Sequence, residues 1–280
     1  MPPRPWLTVV GSINLDFVTQ CERLPKPGET VTGAEFNLVP GGKGANQALA
    51  AKRLGAYVGI VGCIGEDWMA DQALQYLTAE RVDLDISVAN HGEPTGVAVI
   101  LVDREGENQI VVAPGANLLV IPEQIGFPEH AVLCQLEIPI ETVVAAAERA
   151  QGFFCLNAAP ALPVPAEVLG RADLVVVNRY ELDALTEMPR VVALTLGAEG
   201  AAILEDGEEV LRAAPPRVDA VDGTAAGDAF TACLVVSLLE GRDREEALRR
   251  ACAAGAIAAS RPGAQPSLPT ADEVDAILRA

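Results

Sequence analysis

Aromatic residues make up only 4% of this chain, and histidine occurs just twice, at His91 and His130. With so few large rings, a core must be assembled from Ala, Val, Leu and Ile. The six cysteines (Cys21, Cys63, Cys134, Cys155, Cys233, Cys252) form no CxxC pair, so a zinc cluster is not expected. Most lie in apolar runs, which reads as buried, reduced thiols. Positive charge is scarce too: 20 Lys and Arg stand against 39 Asp and Glu, a net charge of -19. Such a surface repels nucleic acid and anionic membranes. Any bound phosphate must rely on local amides and a few placed cations. No long apolar run is present; the longest, near Ala229–Leu239, is too short to cross a bilayer. The stretch MPPRPWLTVVGS has no signal-peptide h-region, and a soluble, cytoplasmic protein is expected.

Two nucleotide signatures are also missing. PGGKGANQA (Pro40–Ala48) is not a Walker A loop: Asn37 stands where its first glycine belongs, and Gly44 follows Lys43 instead of Ser or Thr. No GxGxxG follows a strand, which removes the main mark of a dinucleotide fold and leaves a nicotinamide-dependent oxidoreductase without support.

What is present is an α/β rhythm in 280 residues, half of them apolar. Strands are expected over Leu7–Gly11, Tyr57–Ile64, Ala131–Gln135, Phe153–Leu156, Leu174–Val177 and Val191–Leu196. Helices are expected over Gly44–Leu54, Asp67–Arg81, Ile140–Gln151, Gly227–Glu240 and Arg244–Ser260. Near-continuous apolar strands such as DLVVVN predict a doubly wound, mostly parallel sheet flanked by helices. A strand at Thr30–Val39 and a hairpin at Thr95–Val112, turning through DREGEN, break that rhythm and predict a small β-sheet lid. The expected division is a main domain of residues 1–13, 40–93 and 114–280, with a lid of 14–39 and 94–113.

Polar residues gather at strand ends, where ligands of open α/β sheets bind. Val221–Phe230, VDGTAAGDAF, sets small residues before Asp228 and an apolar helix. If Asp228 occupies the first turn, the unpaired amides of Ala225, Ala226 and Gly227 face an anion beside a fixed carboxylate, as phosphoryl transfer to an alcohol requires. An ordinary helix start with an acidic first turn explains the same string. Asn14 and Asp16 in GSINLD point one way in extended chain and can grip vicinal hydroxyls; an exposed turn reads equally well. Gly41 and Gly42 make a tight turn, and Lys43 and Asn46 lie three apart on a helix face. Glu137, Asn157 and Asn178 end further strands. Glu181, three beyond Asn178, can join it at a water-coated magnesium, or the two can simply cap a helix. Thr195–Gly200 is a strand-end turn suited to a nucleotide, and Glu66–Asp67 reads as a helix start.

GSINLD, PGGKGANQA, PTGVAVILVDREGEN, VDGTAAGD and RPGAQPS, in this order, resemble the ribokinase family of sugar and nucleoside kinases, from about Val9 to Leu268. The resemblance implies a doubly wound α/β domain with a β-lid, a homodimer joined through the lids, and ATP-dependent phosphorylation of D-ribose at its 5-hydroxyl. Deoxyribose, a nucleoside or a ketohexose are the alternative substrates, and a non-catalytic sugar-binding protein is the alternative class. It implies Asp228 as general base, with the amides of Ala225, Ala226 and Gly227 holding developing charge. Asn14, Asp16, Gly41, Gly42, Lys43, Asn46 and Glu137 match positions that hold the sugar. Asn178 and Glu181 match the magnesium and phosphate motif, and Thr195, Gly197, Gly200 and Gly227 the ATP site. Asp222, the backbone carbonyls of Thr224, Ala258, Arg261 and Gly263, and Ser267 match ligands of an activating monovalent cation, usually potassium. Three departures stand out. Gly223 replaces a usual threonine, Arg179 a common acidic residue, and only residues 179–194 separate Asn178 from Thr195, where the family usually has a further helix.

Overall fold

The computed structural model describes residues 4–89, 92–105, 107–126 and 128–279. His91 and Gly106 of the DREGEN turn lie outside them, as do residues 1–3 and 90 of the expected main domain. In chain order the strands are β1 (Trp6–Val10), β2 (Asn14–Gln20), β3 (Glu35–Gly41), β4 (Tyr57–Gly65), β5 (Asp83–Ala89), β6 (Gly96–Val102), β7 (Asn108–Ala113), β8 (Ala131–Cys134), β9 (Phe154–Asn157), β10 (Leu174–Asn178), β11 (Val191–Thr195), β12 (Ala201–Glu205) and β13 (Glu208–Ala213). The α-helices are α1 (Lys43–Arg53), α2 (Trp68–Ala79), α3 (Ile140–Arg149), α4 (Ala166–Arg171), α5 (Arg179–Ala184), α6 (Ala226–Leu239), α7 (Arg244–Ala259) and α8 (Ala271–Arg279). Among the described residues no helix is long and apolar enough to cross a membrane.

Two sheets form. The larger runs β13-β12-β11-β10-β9-β8-β1-β4-β5 and is parallel from β5 through β11, with β12 and β13 added antiparallel at one edge. Its central strands are buried on both faces, with period-2 geometry sending alternate residues into cores on opposite sides. Leu7 and Val9 of β1, Leu133 of β8 and Val176 of β10 enter one core with α1, α6 and α7. Val10, Cys134 and Val177 enter the other with α3 and α4. Helix α6 is buried along almost its whole length and packs on α1 and α7. An all-apolar helix surface is stable only when enclosed in this way. All six cysteines are free, and all but Cys21 are buried.

The smaller sheet runs β3-β2-β6-β7. Its pairing aligns Val39, Asp16, Ala98 and Val112 in a row on one face. Leu38, Phe17, Val99 and Val111 form the neighbouring row on the opposite face.

Several expectations need correction. The strand expected over 30–39 starts only at Glu35 and extends to Gly41. Residues 21–34 carry no strand because Pro25 and Pro27 cannot serve a ladder and Gly28 and Gly33 turn at positive φ. The preceding segment holds a full strand, β2, at the centre of the small sheet. Strands β5, β12 and β13 and helices α4 and α8 were not anticipated. β13 (EEVLRA) is a charged, exposed edge with weak alternation, and α4 spans only six residues. The shortened interval between Asn178 and Thr195 holds α5 as its one helix before β11 begins, and Leu182, Leu185 and Leu194 on that flank are only partly buried.

Candidate active site

β1 lies between β4 and β8, so the chain leaves β1 toward one side of the sheet and later builds β8 on the other. Such a switch point opens a crevice at the carboxyl ends of the strands. Here Ser12, after β1, donates through Oγ to Glu137 Oε2 at 2.5 Å, and the Lys43 backbone N–H donates to the same oxygen at 3.0 Å. The turn between them needs glycine. Gly42 has φ 85°, and a Cβ there would sit 2.8 Å from the Asn14 nitrogen.

The crevice encloses about 320 Å³. Asn14 and Asp16 of β2 and Lys43 and Asn46 of α1 line it together with Glu137, Asn178, Glu181, Thr195, Thr224, Ala225, Gly227 and Asp228. The lid contributes Ala98, Ile100, Ile110 and Val112 from its inner face. Asp228 sits in the first turn of α6 and is buried. Its two oxygens are gripped separately: Asn46 Nδ2 donates to Oδ2 at 2.9 Å and Gln47 Nε2 to Oδ1 at 2.8 Å. Asp16 Oδ1 and Asn46 Oδ1 are buried without a partner. A buried unpaired acceptor costs roughly 1–3 kcal/mol, so both are placed to receive hydroxyl donors.

Charge is concentrated here. Burial drives the Asp16 carboxyl up to about 7, and the neighbouring charges of Glu137 and Asp228 add to the effect. Burial also raises Asp228, against the pull of Lys43 and the two amide donors. Burial alone would lower the Lys43 ammonium, but Asp228, Glu137 and Glu181 outweigh it and hold its pKa above the ordinary value. One cation thus serves several carboxylates, and the site can accept further positive charge or hydroxyl protons.

A second, larger cleft of about 870 Å³ adjoins the first and shares Thr195, Gly223 and Gly227 with it. Gly197, Gly200, Pro215–Ala220, Ala226, Phe230, Cys252 and Gly255 line the remainder. A small polar cavity rich in acceptors meets a roomy, more apolar cleft at a helix N-terminus that carries a carboxylate. That arrangement suits the transfer of an anionic group from a large donor to a hydroxyl.

The sequence matches the family model described as "pfkB family carbohydrate kinase" over residues 6–271. The chain belongs to that family. Among curated relatives, the ribokinase of Bacillus subtilis is 38% identical over 293 residues, covering 97% of this chain and 99% of the relative. Among solved structures, the ribokinase of Thermotoga maritima superposes with a TM-score of 0.87 at 34% identity, covering 98% of this chain and 99% of that one. An Arabidopsis thaliana ribokinase complexed with ribose and ATP gives 0.83 at 33% identity, covering 99% of each chain.

The site residues read from the sequence divide between the two cavities. Those expected at the sugar line the first cavity, except Gly41, which lies behind Asp16. A Cβ on Gly41 would sit 2.1 Å from Asp16 Oδ2, so its role is to leave space. Gly197 and Gly200 line only the second cleft, and Thr195 and Gly227 line both. Asn178 and Glu181 cap α5 reciprocally: Glu181 N–H donates to Asn178 Oδ1 at 2.9 Å and Asn178 N–H to Glu181 Oε2 at 2.7 Å. The pair thus both caps α5 and lines the first cavity.

Of the three amides expected at the anion, that of Ala226 is engaged in the turn. Its N–H already donates to the Gly223 carbonyl at 3.2 Å, and it faces the second cleft, not the first. The expected cation ligands lie outside both cavities apart from Thr224, yet their two loops are stitched together. Asp222 Oδ1 accepts the Thr224 N–H at 2.9 Å and Oδ2 accepts the Gly263 N–H at 2.8 Å, while Asp222 N–H donates to Ala259 O at 3.0 Å. Arg261 N–H donates to the Ala258 carbonyl, and the Ser267 hydroxyl to Ala264 O. The donor set is all oxygen, which fits a hard cation.

The sequence reading missed Ser12, Gln47, Asn117 and the whole 215–220 wall. Gln47 and Asn117 carried no readable signal, because each reaches its partner only through long-range folding. Pro215-Pro216 was a visible signal that the chain breaks there.

Proposed function

We propose that this protein transfers the γ-phosphoryl group of ATP to the 5-hydroxyl of D-ribose, forming D-ribose 5-phosphate and ADP. The observation that carries the reading is Asp228, held by Asn46 and Gln47 where the acceptor-rich cavity meets the large cleft. The relative solved with ribose and ATP supports the choice of both substrates.

In this reading the sugar hydroxyls satisfy Asp16, Asn14, Asn46, Lys43 and Glu137, and Gly41 and Gly42 let the chain close around them. Asp228 accepts the 5-hydroxyl proton as that oxygen attacks the γ-phosphorus in line. The amides of Ala225 and Gly227, with the α6 dipole, face the charge that develops. Ala226 supports the turn through its bond to Gly223. The triphosphate runs from Gly227 past Thr195, Gly197 and Gly200 into the second cleft. Magnesium, held through water by Asn178 and Glu181, would neutralise charge on the phosphates; the cap leaves Glu181 Oε1 for that task. A potassium ion at Asp222, Thr224, Ala258, Arg261, Gly263 and Ser267 would brace the loop that leads into α6.

Residues 14–39 and 94–113 act as the lid. Its outer row is apolar: Phe17 is partly buried beside Trp68 of α2, while Val111 is 69% and Val99 46% exposed. An exposed apolar stretch of sheet tends to be covered, and a homodimer joined lid to lid covers it. The free thiols fit a cytoplasmic setting.

The test is ADP release from purified protein with ATP, magnesium and D-ribose, with and without potassium, and with deoxyribose, nucleosides and ketohexoses as alternative acceptors. Ribose-dependent release, stimulated by potassium, is expected. Asp228→Asn should bind ribose normally but turn over at least about a hundredfold more slowly. Ribose binding without turnover on any acceptor would instead mark a non-catalytic sugar-binding protein.

A further inference from the structure

Behind Asp228 runs a chain of buried amides whose direction is set by chemistry at both ends. Asn157 Nδ2 donates to the Val176 carbonyl at 3.1 Å. A carbonyl can only accept, so Asn157 must turn Oδ1 the other way. Gln47 Nε2 donates to that oxygen at 2.8 Å and to Asp228 Oδ1 at 2.8 Å. Both of its hydrogens are then committed, and Gln47 Oε1 must accept; it does so from Gln135 Nε2 at 2.7 Å. Reversing the Gln47 amide would set its oxygen against the Asp228 carboxylate and Asn157 Oδ1, three acceptors with no hydrogen among them. Gln47 and Gln135 are fully buried. The outer end leaves Gln135 Oε1 without a partner, against Gly11, where a Cβ would sit 2.0 Å away.

We infer that Gln47 is the positioning residue of the catalytic base: through the Gln135–Gln47–Asn157 relay it fixes the rotamer of Asp228 and keeps a donor on Oδ1. This rests on the reading of Asp228 as base. Asp228 has little else to orient it. Asn46 holds Oδ2 but also lines the sugar cavity, so its bond is shared with substrate. Gln47 lies behind the carboxylate and is not itself part of the cavity lining. Through Asn157 the relay anchors on β10, through Gln135 on the end of β8, and through its own backbone on α1. The base is thus tied to the sheet, and not only to the helix that carries it. The charged groups around Asp228 are Lys43 on α1, Glu137 after β8, Asp16 on β2 and Glu181 on α5. None of them donates a hydrogen bond to Oδ1.

The test uses Gln47→Glu, which keeps the shape but cannot donate twice, and Gln135→Met, which leaves Gln47 in place and removes its outer support. Ribose Kd by calorimetry, kcat and the pH profile of kcat are read for each. For Gln47→Glu, kcat should fall about tenfold to a hundredfold, as for a misplaced catalytic group. Its acid limb should move up by about one pH unit, while ribose Kd stays within about threefold. Gln135→Met should show the same pattern at about threefold in kcat. A purely structural residue would lower Tm and leave the pH profile in place. Asp228→Asn is run in parallel. Near-normal turnover there removes the base and the relay's purpose together. A severely slowed Asp228→Asn beside Gln47→Glu or Gln135→Met with unchanged kcat and pH profile overturns the positioning role alone.

Discussion

Asn117 Nδ2 donates to Asn14 Oδ1 at 2.7 Å, and the same side chain holds the Ile13 N–H through Oδ1 at 2.9 Å. The pair decides which end of the Asn14 amide faces the sugar cavity: with Oδ1 taken, Nδ2 is presented as a donor. It also pins the crossing from β1 into the lid strand β2. Gly96 makes room for it, since a Cβ there would lie 2.2 Å from Asn117 Nδ2.

Asn117→Leu should therefore raise ribose KM by about tenfold or more, from a buried donor–acceptor set left unpaired, with a smaller effect on kcat. Steady-state kinetics against ribose at saturating ATP reads both. An unchanged KM would mean that Asn14 finds its orientation without Asn117.

Burial lifts Asp16 from 3.8 to about 7, so in the free protein its carboxylate is half protonated near neutrality. Sugar hydroxyls need the ionised form as acceptor. Ribose Kd, measured by calorimetry without nucleotide, should weaken as pH falls below about 7, approaching tenfold per unit, and Asp16→Asn should bind weakly at every pH. Stability runs the opposite way. Between about 4 and about 7 the native state holds a proton that the unfolded chain has released, so this group's contribution declines as pH rises through that window. Asp16→Asn should consequently raise Tm more at pH 8 than at pH 5. A Tm difference independent of pH would show that Asp16 ionises normally in the free protein.

Gly41→Ala places a methyl 2.1 Å from Asp16 Oδ2. Either the carboxylate or β3 must shift, at about 1–3 kcal/mol of overpacking. Ribose affinity should fall roughly tenfold and Tm by a few degrees. Wild-type affinity would show that the lid strands yield without disturbing the sugar ligands.

Val111→Lys sets a charge at the β7 end of the exposed apolar row of the lid. Light scattering should show a dimer for the unaltered protein, as proposed for the lid face, and a monomer for the variant. A dimer that persists would place the interface on another face.

Much of this was legible in the sequence because it is local. A glycine pair before an apolar run, Asn14 and Asp16 two apart in a strand, and Asp228 two residues into an enclosed helix each follow from backbone geometry over a few positions. The near-continuous apolar strands announced a parallel sheet covered on both faces. Less legible were elements whose patterns are weak, such as the charged edge β13 and the six-residue α4, and the turn-rich stretch 21–34, where prolines shortened the expected strand. The sequence by itself determined which chemical groups are available and on which face of each element they lie. Only the tertiary structure decided which of them meet. Gln47 reaches Asp228 across 181 positions and Asn117 reaches Asn14 across 103. Nothing in local spacing encodes such pairs, because they arise when separately formed strands and helices dock and buried polar groups must find partners.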